Sequence, residues 1–273
     1  MYPVAIGGLG GSGTRLVAQI LMDVGIFLGD DLNSANDNLT FTFFFKRPDE
    51  FKFSQTWVQK NIRVFEKYMC GKSFSISDWQ VFLKAYFKRD IYPANFHSQR
   101  RNKILFHTNS FHEKWGWKEP NTHIFLEPLA KHFPDMSYIH VVRHGLDMAF
   151  SGNLQQLNNW GDLYDINLPV DPASEPQMQL EYWVNANQSA IEKGKKFFGN
   201  RFYLCNYDAL CMDPIPEIKN MLTFLNIRVD ENKLNQLTKL PAVSSTMGRF
   251  KERDLNIFPE EHLQFVRSLG FTV

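Results

Sequence analysis

The stretch PVAIGGLGGSGTRLVAQILMDV, residues 3 to 24, decides the fold. Its first six residues, PVAIGG, form a short apolar run that stops on glycines, the pattern of a buried strand. From residue 13 onward the apolar period changes. Leu16, Ile20 and Val24 share one helical face, and Val17 and Leu21 lie beside them. The unit is strand, glycine-rich turn, helix. The turn reads in three ways. As G-x-G-x-x-G it is Gly8, Gly10 and Gly13, a dinucleotide fingerprint, and Asp30 and Asp31 follow near where a ribose-binding acid belongs. As a nucleotide-kinase P-loop it lacks the lysine, because Thr14 and Arg15 follow Gly13. As S-G-T at a helix N-terminus, Ser12, Gly13 and Thr14 turn backbone N–H groups and two hydroxyls onto an anion, with Arg15 adding positive charge.

Outward from this turn, strands and helices alternate. Residues 26–29 predict a second short strand, and 30–38 a polar loop. Residues 41–115 are aromatic and basic with helical spacing, and predict an insertion that builds a wall over the sheet. WGWKEP (115–120) predicts a strand end, 122–133 a helix, 137–142 (SYIHVV) a strong strand, 145–157 and 176–198 helices, 202–206 a strand, and 214–225 and 259–268 helices. That alternation predicts an α/β fold with a parallel sheet covered on both faces.

Composition narrows the function. At 273 residues with 44% hydrophobic and 22% charged residues, the chain reads as one globular domain over 1–273 with a sizeable core. Thirty basic against 29 acidic residues give +1, which argues against a broad nucleic-acid surface and leaves room for a local basic pocket. Cys70, Cys205 and Cys211 form no CxxC pair, so neither a disulfide framework nor a zinc site is expected. No apolar run approaches a membrane span, and no basic segment precedes an apolar one at the N-terminus. A cytoplasmic protein is the expectation. Oligomeric state stays open.

A second anion site follows the strong strand. In YIHVVRHGLDMAFSGN, Arg143 stands just past the strand, on the edge where open α/β sheets bind ligands, and its planar fork suits a phosphate. Asp147 and Ser151 lie four apart and share a helix face. Together these motifs resemble the sulfotransferase family that uses 3′-phosphoadenosine-5′-phosphosulfate (PAPS). GLGGSGTR (8–15) is similar to the family's 5′-phosphosulfate loop, here Gly10, Gly11, Ser12, Gly13, Thr14 and Arg15. Arg143, Asp147 and Ser151 match its R-x₃-D-x₃-S motif, which implies that Arg143 and Ser151 hold the 3′-phosphate. Tyr207, Asp208, Leu210 and Pro214 resemble its Y-[E/D]-x-L-x₃-P segment. Lys118 falls in its K-[D/E]-P turn, and GRFK (248–251), with Arg249 and Lys251, is similar to its final loop. Gly11 departs from the family, which places Lys or Arg there, and Ser244 and Ser245 stand where cytosolic relatives carry a basic pair.

The resemblance implies the P-loop-like sulfotransferase fold, PAPS as co-substrate, adenosine 3′,5′-bisphosphate (PAP) as product, and no metal. The acceptor is a small molecule, a glycan or another hydroxyl compound. Sulfuryl transfer asks mainly for positioning and charge stabilisation at the leaving phosphate oxygen. With Gly11 in the usual cation's place, Lys118 is the first candidate and Arg15 the second. Glu119 is read as orienting Lys118 rather than acting as the base. The resemblance places the general base in a G-[E/D]-[E/D] turn, here Asp31, with Asp30 next and His107 and His112 as rivals. Trp115 and Trp117 are read as packing residues. The basic residues of the insertion, among them Lys46, Arg47, Lys60 and Lys84, with interleaved aromatics, fit a glycan-binding wall. A Rossmann-type dinucleotide enzyme and a non-catalytic nucleotide-binding protein are the alternatives; Gly11 favours the latter.

Overall fold

The computed structural model describes residues 3–48, 54–87, 112–166 and 171–273. Four parallel strands form one sheet in the order β2-β1-β3-β4: β1 Val4–Gly8, β2 Gly116–Lys118, β3 Ser137–Val142 and β4 Phe202–Asn206. Val4 pairs with both Gly116 and Ser137, and Tyr138 with Phe202. Alternation along the strands sorts side chains to two faces. Val4, Ile6, Ile139 and Val141 face one apolar layer, where α1 (Thr14–Asp23) contributes Val17, Ile20 and Leu21. Ala5, Tyr138 and Val142 face the other.

The second layer holds the insertion. Its described helices are α2 (Leu39–Phe45), α3 (Gln55–Met69) and α4 (Ile76–Phe87). Asn38 caps α2 by accepting from the Phe41 N–H, and Ser54 caps α3 through Trp57. All seven residues of α2 are buried, because Phe41 packs against Phe45, Phe65 and Trp117 with ring centroids 4.3, 5.3 and 5.6 Å apart. These aromatics of the insertion therefore point into the core, while Trp79 and Phe87 of α4 are exposed. Trp115 and Trp117 are buried in the same cluster, in the packing role expected of them.

Beyond β2 come α5 (Leu126–His132), α6 (Gly145–Ala149), α7 (Gln155–Trp160) and the long α8 (Glu175–Phe198). After β4 come α9 (Tyr207–Met212), α10 (Pro214–Phe224), α11 (Glu231–Leu237) and α12 (Glu260–Ser268). Helices α1 and α10 cover one face of the sheet; α5 and α8 cover the other. Connections leave β1 and β3 on opposite faces, so the crevice between their carboxyl ends is the topological switch point.

Three expectations change. Residues 26–29 form no strand: Phe27 makes a single bridge to Trp115, between Gly25 and Gly29 at positive φ. The helix expected over 122–133 starts as a 3₁₀ turn, Pro120–Phe125, because Pro120 lies in its first turn and Glu119 caps it. The helix expected over 145–157 breaks into α6 and α7, and residues 150–154 between them border the site. Phe41→Ala should lower the unfolding free energy by about 3–5 kcal/mol in a denaturant titration, by opening the cavity that its four ring contacts now fill.

Candidate functional site

Every strand of the sheet delivers a site residue at its carboxyl end. The glycine turn follows β1, Lys118 ends β2, Arg143 follows β3 and Tyr207 follows β4. The turn is tight because Gly11 and Gly13 take φ of 92° and 90°. At Gly13 a side chain would also collide with the Tyr207 ring. Gly11's conformation is one that L side chains rarely adopt, so this backbone has no ready place for the cation expected there. Ser12 is buried beneath the turn, and its Oγ has no hydrogen-bond partner. Thr14 opens α1, whose first turn carries no acid, so its N–H groups and dipole present a positive end.

Arg143 is buried and binds the turn to the rest of the site. Its Nη1 donates to the Gly11 carbonyl at 3.3 Å and its Nη2 to the Thr246 hydroxyl at 2.7 Å, while Nε has no partner. The guanidinium stands 5.4 Å from the centroid of Tyr207, whose phenol burial pushes up to about 12. Asp208 accepts from the His144 N–H at 2.9 Å and so fixes the backbone after Arg143. Asp147 accepts from the Gly248 N–H at 2.8 Å and anchors the 248–251 loop. Arg249 donates to the carbonyls of Thr246 and Phe150, which brings it beside Ser151. Burial and the Arg143 charge hold its pKa down. Lys251 is exposed, its chain lying along Gly248. Ser244 pairs with the Thr246 hydroxyl at 2.8 Å, so this serine, in the place of one of the basic pair, serves Arg143 indirectly.

In front of the turn lies a cleft of about 530 Å³, lined by Gly10, Gly11, Gly13, Thr14, Arg15 and Lys118. Arg15 is exposed at it; Lys118 is 2% exposed. Lys118 Nζ donates to the Ala35 carbonyl at 3.0 Å and forms an ion pair with Asp37, whose second oxygen accepts from Asn33. Asp37, in the polar loop, thus orients Lys118, and Glu119 does not. Glu119 accepts instead from the Asn121 backbone N–H at 2.7 Å and the Asn121 side-chain amide at 2.9 Å. The Asn121 Oδ1 in turn accepts from Gln156 Nε2 and Trp160 Nε1, both at 3.0 Å. Burial and the nearby Asp37 push the Glu119 carboxyl up to about 7.

Asp31 is 3% exposed and is not among the cleft-lining residues; its charge, with that of Asp30, acts on the buried Tyr68 phenol. His112 stacks on Phe27 at 3.6 Å, before the amino end of β2 and so at the opposite edge from the turn. His107 lies outside the described residues. Lys46 and Glu119 line the cleft, together with Asp37 and the amides Asn33, Asn153, Gln155, Gln156 and Asn159, which sequence reading had given no role. Of these, only Glu119 carried a usable signal, an acid at a strand's carboxyl end.

Comparison with known proteins gives the family and the fold. The model of the Sulfotransferase family matches residues 3–231. The chain belongs to the sulfotransferase family. Its fold resembles the sulfotransferase domain from the Synechococcus PCC 7002 olefin synthase, with 15% identity, 99% of this chain and 95% of that one covered, and a TM-score of 0.52. It also resembles the sulfotransferase domain from the curacin biosynthetic pathway, with 13% identity, 100% and 99% covered, and a TM-score of 0.54. No curated protein sequence matches the chain. No described helix of this sulfotransferase is long and apolar enough to cross a membrane.

Glu119 makes the fold pH-sensitive. An acid whose pKa rises on folding stabilises the fold below its unfolded value, near 4.5, and loses that contribution as pH climbs through 7. Between about pH 5 and about pH 8 the wild type should lose roughly 2–3 kcal/mol of unfolding free energy relative to Glu119→Gln, measured by denaturant titration at each pH.

Proposed function

We propose that this sulfotransferase takes PAPS as its sulfuryl donor and passes the group in line to an acceptor hydroxyl. The observation that carries the reading is the joining of two anion cradles at one sheet edge: Arg143 donates to the glycine turn itself through the Gly11 carbonyl. The donor's chemistry fits the residues present. Ser12 Oγ and Arg143 Nε are buried polar atoms without protein partners, and an anion with two phosphate groups satisfies both kinds of donor. The turn, Gly10 to Thr14 with Arg15, holds the phosphosulfate. Arg143, Ser151, Arg249 and Lys251 hold the 3′-phosphate, and Tyr207 packs between the two cradles.

When bound, PAPS supplies the sulfuryl group and a phosphate oxygen able to leave. The chain supplies charge and position. Lys118 and Arg15 stand at the cleft where Gly11 offers no side chain, and Lys46 joins them. Cations held out of bulk water, as the buried Lys118 is, stabilise developing negative charge far better than in water. The cleft is lined by carboxamides, with no aromatic side chain among its described lining. Paired amide donors and acceptors suit an acceptor rich in hydroxyls, which favours a carbohydrate over a flat apolar alcohol. The catalytic reading is preferred to a binding-only module because three cations compensate for the missing one.

The test is calorimetric titration with PAP beside ADP and NADH. PAP should bind alone, and Arg143→Ala should weaken it by about 10- to 100-fold, the loss expected for charge-assisted hydrogen bonds. Binding of NADH instead would return the glycine turn to a dinucleotide. PAP binding without turnover would leave a binding module.

A further inference from the structure

The cleft contains a carboxylate that the family resemblance leaves without a chemical role. Glu119 follows the last residue of β2, is 4% exposed, and lines the same cleft as the glycine turn, Arg15 and Lys118. Asn121 grips both of its oxygens, one through the backbone and one through the side chain. Asn121 cannot rotate away, because its own oxygen receives Gln156 and the buried Trp160. Each Glu119 oxygen keeps a lone pair beyond its single bond to Asn121.

The other carboxylate of the cleft is committed. Asp37 is ion-paired with the buried Lys118 through one oxygen and accepts from Asn33 through the other, so its charge is spent on that ammonium. Asp31 does not line the cleft. Resting on the PAPS reading above, we propose that Glu119 is the general base that takes the proton from the acceptor hydroxyl. As the acceptor O–H bond breaks, its proton passes to Glu119 and its electron pair forms the new bond to sulfur. The old sulfur–oxygen bond breaks with its pair left on the departing phosphate, beside Lys118 and Arg15.

The surroundings tune this carboxylate for the work. Asp37 and burial raise its proton affinity; Lys46, Lys118 and the Asn121 N–H lower it. The balance puts its titration near neutrality, where a base is both largely ionised and strong enough to accept a proton. A carboxylate that only capped the 3₁₀ turn would show no such link to the acceptor. The relay Trp160–Asn121–Glu119 makes Asn121 a positioning residue with a defined signature: removing its side-chain donor makes the base harder to ionise.

The experiment follows transfer of labelled sulfate from PAPS to lactose, to water and to p-nitrophenol, with PAP calorimetry in parallel. The phenol is ionised at the assay pH and needs no base. Glu119→Gln should cut transfer to lactose and water by about 100-fold or more, the usual yield of general-base catalysis, while PAP affinity holds. Transfer to the phenolate should change by no more than about threefold. The wild-type rate with lactose should fall below about pH 7, and Asn121→Ala should move that midpoint upward. Equal losses on all three acceptors, no loss on any, or a loss confined to Asp31→Asn overturns the assignment. Wild type that binds PAP but transfers to none of the three overturns it while sparing the cofactor reading. Failure to bind PAP removes both.

Discussion

Arg143 is the constraint on which the site depends. A buried guanidinium must find partners, and this one finds them in segments far apart in the chain: the Gly11 carbonyl, the Thr246 hydroxyl and the face of Tyr207. Two carboxylates secure the backbone around it. Asp208 holds the residue after Arg143, and Asp147 holds the loop that carries Arg249. Neither acid needs to meet a ligand. Their work is to keep three loops in register over the ends of the strands, so that the cradle exists before anything enters it.

The same logic explains what could be read from the sequence and what could not. The turn after β1, the strand before Arg143 and the helix behind Pro214 were legible because each is a local pattern: a run of β-formers, a glycine turn, a period of 3.6. Arg143, Tyr207 and Lys118 were legible because each stands at the carboxyl end of a strand. The roles of Asp37 and Glu119 were not. Lys118 has an acid as its chain neighbour, yet it pairs with Asp37 from a distant loop, and the neighbour turns to Asn121. Glu119 caps the 3₁₀ turn that follows β2 and takes its bonds from Asn121, so adjacency in sequence misassigned the pair. The amides of 153–159 were hidden for a related reason. They sit where a predicted continuous helix breaks, and their meaning comes only from the cleft they line.

The composition of the insertion pointed to a wall, and the structure adds a second use for it: the buried aromatics of α2 and α3 cover the second face of the sheet. Phe41 and Phe45 stack on Trp117 and Phe125, and the basic residues divide between solvent and structure, as where Arg63 and Lys67 meet the buried Asp78. Lys46, at the end of α2, is the residue by which this layer reaches the cleft, along with Thr42.

The strand order carries a consequence for how the protein is made. Strand β1 leaves the ribosome first, yet its partners are Gly116 on one side and Ser137 on the other. Until both have been synthesised, an apolar strand and the phenylalanines of α2 have no sheet to cover. The nascent chain thus spends much of its synthesis with its central strand unpaired at both edges, the condition in which polypeptides aggregate or recruit chaperones. Placing the glycine turn at the centre of the sheet gives it support from both sides in the finished protein, and leaves it without that support until β3 has been made.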